Sequence, residues 1–180
     1  MSLPNFLTFL RIFLIPTFAT AYLYGHPAPA LAAFLGAGIT DALDGWLARR
    51  NNQQTAFGSI LDPTADKLLM LTAFSLLTYT GLVPLWALII AVSREVFVVG
   101  GWVIRQLVTS SLKVVPSLLG KATTVAQVAA VTALLLSRQG IMPPVAATWL
   151  LYLAILLTAL SGLDYLYRGL KELQPRPVRR

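Results

Sequence analysis

The chain contains no cysteine. That excludes a disulfide framework and thiol chemistry, and it leaves the redox compartment unreadable. Charge is also scarce: Asp, Glu, Lys and Arg make up 12% of the residues, about half of what an ordinary globular domain carries. Acidic residues number only seven, and there is one histidine. No internal repeat or low-complexity segment interrupts the pattern. Hydrophobic residues reach 57% and the mean hydropathy is +0.72, more apolar area than a soluble domain of this size can hide. These absences imply an all-α integral membrane protein, organised as a single domain over residues 1–180. The opening "MSLPNFLTFLRIF" has neither the charged n-region nor the small-residue cleavage site of a removable signal, so it is expected to stay.

Six stretches are long and apolar enough to cross a bilayer, at about 6–25, 28–48, 62–82, 85–105, 118–137 and 143–164. Breakers separate them: "GHPAP", "RRNNQQ", "GLVP", "TSSLKVVPS" and "SRQGIMPP". The final "YRGLKELQPRPVRR" reads as a short polar helix followed by a basic tail, 168–180. The "LPNFLTFLRIF" segment is expected to lie along the interface as an amphipathic cap before the first span. Placing the N-terminus in the cytoplasm puts Arg49, Arg50, Arg105, Lys113 and Lys121 in inner loops, with the basic tail also inside. Only Arg138 and His26 then fall outside, which is the asymmetry of the positive-inside rule. Both termini are therefore expected to be cytoplasmic, in a bacterial inner membrane. The net charge of +7 follows from the same rule, and no soluble basic domain exists to dock a nucleic acid.

Against that background one stretch stands out. "DALDGWLARRNNQQTAFGSILDPTADK", residues 41–67, holds four of the seven acidic residues: Asp41, Asp44, Asp62 and Asp66. They fall at the inner ends of the second and third spans. Asp41, Asp44, Gly45, Ala48 and Arg49 share one helical face, and Gly58, Asp62 and Asp66 share another. Pro63 is expected in the first turn of the third helix. Gly45 and Ala48 leave backbone open to a ligand. Four convergent carboxylates repel one another unless cations neutralise them, and one Arg49 is not enough. Hard oxygen ligands suit two divalent cations, Mg²⁺ or Mn²⁺, a recurrent arrangement for displacement at phosphorus. One carboxylate left free of metal can accept the proton of an attacking hydroxyl. Intramembrane acids also serve ion pathways, so a transporter is the rival class. It needs polar groups spread through the membrane, whereas the fifth and sixth spans are almost bare of them.

The spacing D-x2-D-G-x2-A-R-x8-G-x3-D-x3-D resembles the signature of the CDP-alcohol phosphotransferases, the class I CDP-alcohol phosphatidyltransferases. All eight positions match, from Asp41 through Asp66. "LPNFLTFLR", "SRE" at 93–95 and "GKATTVAQ" at 120–127 resemble the bacterial branch containing phosphatidylglycerophosphate synthases and cardiolipin synthases. The resemblance implies that Asp41, Asp44 and Asp62 hold the metals, and that Asp66 is the general base, near or partly in the metal shell. It implies that Gly45, Ala48, Arg49 and Gly58 bind the CDP moiety of CDP-diacylglycerol. An alcohol would join the lipid phosphate with release of CMP, at the cytoplasmic face of a homodimer.

The acceptor is harder to read. Glycerol 3-phosphate is a dianion, and members of that subgroup commonly carry two further basic residues where this chain has Trp102 and Thr123. Their loss leans the expectation toward phosphatidylglycerol, the acceptor of a cardiolipin synthase, with glycerol 3-phosphate the alternative. Arg94 and Lys121 are the acceptor-side candidates, with Arg11 and Lys67 behind them. Glu95 either orients Arg94 or is its counterion. Thr8 and Arg11 face the nucleotide site or the headgroups. Trp86, Tyr165 and Tyr167 are expected as interfacial anchors, and "RPVRR" as a contact for anionic headgroups.

Overall fold

Three turns built from the same chemistry organise the chain. The computed structural model describes the backbone of residues 3–51, 58–109 and 118–172, and the side chains of residues 9–41, 64–101 and 118–167. Within it run α1 (Leu3–Leu23), α2 (Pro27–Asn51), α3 (Gly58–Tyr79), α4 (Leu85–Thr109), α5 (Leu118–Arg138) and α6 (Pro144–Glu172). Helices α1, α3 and α5 each end on a glycine with positive φ: Gly25 at 77°, Gly81 at 77° and Gly140 at 73°. In each case the next amide reaches back five residues. His26 N donates to Ala21 O, Leu82 N to Leu77 O, and Ile141 N to Leu136 O. This is the Schellman ending, which uses the left-handed freedom of glycine to satisfy carbonyls left open by the last turn. A proline then stands at or just before the start of each following helix, at Pro27, Pro84 and Pro143–Pro144, where a missing N–H costs little.

The elements match the expected stretches closely, with three differences. The polar stretch after residue 164 forms no separate helix, because α6 continues through it to Glu172 without a proline. Helix α3 begins at Gly58, so Pro63 stands beyond its first turn. The "LPNFLTFLRIF" segment runs directly into α1 as one 21-residue helix.

Helix α1 packs on α2 and α3, α5 on α6, and α4 chiefly on α6. Small residues permit the close approaches. Ala30, Ala33 and Ala37 of α2 are buried with Phe18, Tyr22 and Phe34, and the Tyr22 and Phe34 rings lie 6.0 and 5.6 Å from that of Phe18. Between α4 and α6 the approach is tighter still. A Cβ at Gly101 would lie 2.8 Å from Tyr165 Cε1, so Tyr165 is a packing spacer rather than simply an interfacial anchor. Every helix also turns large apolar side chains outward, among them Phe13, Ile39, Leu68, Val96, Val125 and Trp149. Among the described residues, two segments are long and apolar enough to cross a membrane, Leu118–Arg138 and Pro144–Tyr167.

Candidate active site

Helices α3 and α4 touch each other only lightly, and a cleft of about 680 Å³ opens between them. Its floor includes Thr124 and Gln127 of α5. Most of the wall is apolar, with Met70, Phe74 and Leu88 among its residues. Four charged side chains interrupt it: Asp66 and Lys67 on α3, and Arg94 and Glu95 on α4. The Glu95 carboxylate binds both cations. Oε1 accepts a hydrogen bond from Arg94 Nη1, and Oε2 lies 3.5 Å from Lys67 Nζ. The Arg94 stem rests on α6, where a Cβ at Gly162 would meet its Cγ at 3.7 Å. Its Nε is buried and makes no hydrogen bond among the described residues.

A second ion pair borders the same region. Arg11 Nη1 of α1 lies 3.0 Å from Asp41 Oδ1 of α2. The arginine is wholly buried, whereas the Asp41 side chain remains 43% exposed. Asp66 stands within electrostatic reach of Asp41, Arg11, Glu95 and Lys67. Three helices therefore bring their charges to one place: α1 through Arg11, α2 through Asp41 and α3 through Asp66.

The sequence-derived site divides as follows. Asp41 and Asp66 come together. The side chains of Asp44, Gly45, Ala48, Arg49, Gly58 and Asp62 lie outside the described residues, as does that of Trp102. Among the described residues no three acidic or histidine side chains gather around one point. The two that are described nevertheless suit a hard divalent cation, because they offer carboxylate oxygens close enough to repel one another. Arg94 and Lys67 line the cleft. Lys121 does not line it; it is exposed and borders a second, nearly apolar hollow with Ala122, Val125 and Leu153. Arg11 faces Asp41 instead of solvent.

Thr123 changes the acceptor argument. It is fully buried, and its hydroxyl donates to Leu119 O of its own helix at 2.8 Å and to Leu157 O of α6 at 3.1 Å. It staples α5 to α6 and takes no part in the cleft, so its lack of charge says little about the acceptor. Gln127 was missed by the residue-level reading. Its Nε2 donates to Thr158 Oγ1 at 3.0 Å within the core while the residue lines the cleft. The signal was available as two polar residues, Thr123 and Gln127, four apart and so on one face of α5.

The family model described as CDP-alcohol phosphatidyltransferase matches residues 1–160. The chain belongs to that family. It is thus a CDP-alcohol phosphatidyltransferase, a transferase of phospholipid synthesis. A Bacillus subtilis relative named "CDP-diacylglycerol--glycerol-3-phosphate 3-phosphatidyltransferase" is 36% identical, over 96% of this chain and 97% of its own length. A Haemophilus influenzae relative with the same name is 37% identical over 92% and 91% respectively. A Drosophila melanogaster protein named "Probable cardiolipin synthase (CMP-forming)" is 40% identical over 73% of this chain and 46% of its own. The CDP-alcohol phosphatidyltransferase signature spans α2 and α3, the helices that carry Asp41 and Asp66.

Proposed function

We propose that this phosphatidyltransferase uses glycerol 3-phosphate as its acceptor, making phosphatidylglycerophosphate and CMP from CDP-diacylglycerol. The observation that carries the reading is similarity along nearly the full length to bacterial relatives named for that reaction. It replaces the lean toward phosphatidylglycerol, which rested on Trp102 and Thr123. Burial of Thr123 between α5 and α6 removes half of that argument. The cleft supplies two cations, Lys67 and Arg94, beside Asp66, as an acceptor dianion requires. Phosphatidylglycerol remains the second reading, favoured by the name of the Drosophila relative.

In this reading the acceptor hydroxyl oxygen forms a bond to the phosphatidyl phosphorus. The anhydride bond to CMP breaks, and CMP departs with the electron pair. The hydroxyl proton passes to a carboxylate oxygen of Asp66. Asp41, Asp44, Asp62 and Asp66 are the residues that would hold two divalent cations, Mg²⁺ or Mn²⁺, which when bound offset carboxylate repulsion and draw charge from the phosphate oxygens. Gly45, Ala48, Arg49 and Gly58 bind the CDP group. The six helices span a bacterial inner membrane as one domain, with both termini and the acidic site on the cytoplasmic side and the start of α1 at the interface. The outward apolar side chains on all six helices support that placement. The assembly is a homodimer.

The test is CMP release by purified protein with CDP-diacylglycerol and Mg²⁺, with glycerol 3-phosphate and phosphatidylglycerol offered separately. Turnover with glycerol 3-phosphate alone is expected. Turnover with phosphatidylglycerol alone overturns the acceptor assignment and leaves the family chemistry in place.

A further inference from the structure

Glu95 raises a problem that the reaction itself does not answer. A carboxylate sits between the two cations best placed to hold an acceptor phosphate, with Arg94 on one of its oxygens and Lys67 3.5 Å from the other. An anion there competes with the acceptor for the same donors. The pairing is also incomplete, since Arg94 Nε and Glu95 Oε2 are buried without hydrogen-bond partners among the described residues. Lys67 is 40% exposed and Glu95 33%, so an incoming anion can reach the pair from the cleft. The Arg94 stem runs beside α6 at Gly162, where an added Cβ would meet it at 3.7 Å.

We propose that Glu95 is a positioning residue that stands in for the acceptor's phosphate. It holds Lys67 and Arg94 side by side across the α3–α4 cleft while the site is empty, yields them to a phosphomonoester when one arrives, and reclaims them on release. The inference rests on the glycerol 3-phosphate reading. In that reaction the acceptor's phosphomonoester is untouched, because the bonds that form and break lie at the phosphatidyl phosphorus. The product therefore carries the same dianion as the substrate, and two unopposed cations would grip both equally. Such uniform binding lowers KM without raising kcat and slows product departure. An internal carboxylate weakens both complexes equally and keeps release fast.

The deciding variants are Glu95→Gln, which removes the competing charge and keeps the shape, and Glu95→Asp, which keeps the charge. The readouts are kcat and KM for glycerol 3-phosphate, and the affinity for inorganic phosphate measured by calorimetry on the purified protein in detergent. For Glu95→Gln, KM for glycerol 3-phosphate is expected to fall and phosphate affinity to rise, each by roughly two- to fivefold, the scale of one partly exposed ion pair. The kcat is expected to fall with them, and KM for CDP-diacylglycerol to stay unchanged. Glu95→Asp is expected to lie nearer the wild type in each quantity. Unchanged or weaker phosphate binding in Glu95→Gln, with a thermal midpoint like the wild type, overturns the proposal. If Glu95→Gln does not fold, Lys67→Met gives the second route. It removes one of the two competed donors, so phosphate affinity is expected to drop and the effect of Glu95→Asp on KM to shrink; no change in either overturns the proposal. Failure of the acceptor reading looks different, because the wild type then shows no turnover with glycerol 3-phosphate, while the calorimetry still decides whether Glu95 competes with phosphate.

Discussion

Arg11 and Asp41 form an ion pair with its two ends in different media. Nη1 of the arginine is 3.0 Å from Oδ1 of the aspartate, but only the aspartate reaches solvent. The arginine is thereby committed to the α1–α2 interface, and it ties the site to the first helix. Removing either partner leaves the other under-compensated. Arg11→Met and Asp41→Asn are each expected to destabilise the protein by roughly 1–3 kcal/mol. The double variant is expected to lose less than the sum, with a coupling of about 0.5–3 kcal/mol. Thermal unfolding of the four proteins in one detergent measures the cycle.

Asp66 separates chemistry from folding. Asp66→Asn keeps the size of the side chain and removes the proton acceptor. Initial rates of CMP release are expected to fall roughly 10²- to 10⁴-fold, with a thermal midpoint close to that of the wild type. Retained turnover means that the proton goes elsewhere.

Lys67 and Lys121 make a contrasting pair. The first lines the cleft and the second borders the hollow on α5 and α6. Lys67→Ala is expected to raise KM for glycerol 3-phosphate by roughly ten- to a hundredfold, the loss of one charged hydrogen bond. Lys121→Ala is expected to change it less than about twofold, within the range of an exposed ion pair. Steady-state kinetics on both variants rank the two lysines.

Gly101 and Gly162 likewise differ in what a methyl group would meet. At Gly101 the new carbon would overlap the Tyr165 ring at 2.8 Å, whereas at Gly162 it would touch Arg94 at an ordinary 3.7 Å. Gly101→Ala is expected to cost roughly 1–3 kcal/mol through overpacking, and Gly162→Ala to be neutral or slightly stabilising. Pairing Gly101→Ala with Tyr165→Leu is expected to recover part of the loss. Midpoints of thermal unfolding distinguish the cases.

The sequence pattern was most informative where physics acts locally. Glycine and proline marked the turns at 25–27, 81–84 and 140–144, and helices formed between them close to where hydropathy placed them. The juxtaposition of Asp41 with Asp66 was legible too, since spacing and topology put both at one end of neighbouring helices. Partnerships between distant helices were not. Nothing in the order of residues says that Arg11 would bury itself against Asp41, or that Thr123 would turn from the cleft to bond Leu157. Those depend on how each helix rotates about its axis, which the order of residues in α1 hardly signals because apolar residues lie on every side of it. The expected polar helix after residue 164 proved continuous with α6 to Glu172, because the rise in polarity along it is not accompanied by a proline.

The three glycine turns also bear on how the chain enters a bilayer. They join α1 to α2, α3 to α4 and α5 to α6 through residues 24–26, 80–84 and 139–143, and those segments contain no Asp, Glu, Lys or Arg. Arg138, beside the last of them, folds back over the Tyr22 ring at 5.1 Å from its centre. In the proposed orientation these turns, together with Arg138, are carried across the hydrocarbon. Each helix pair can therefore insert as a hairpin with its leading carbonyls already satisfied, and the one ionised side chain carried across with them, Arg138, travels against the Tyr22 ring rather than in a hydrated loop.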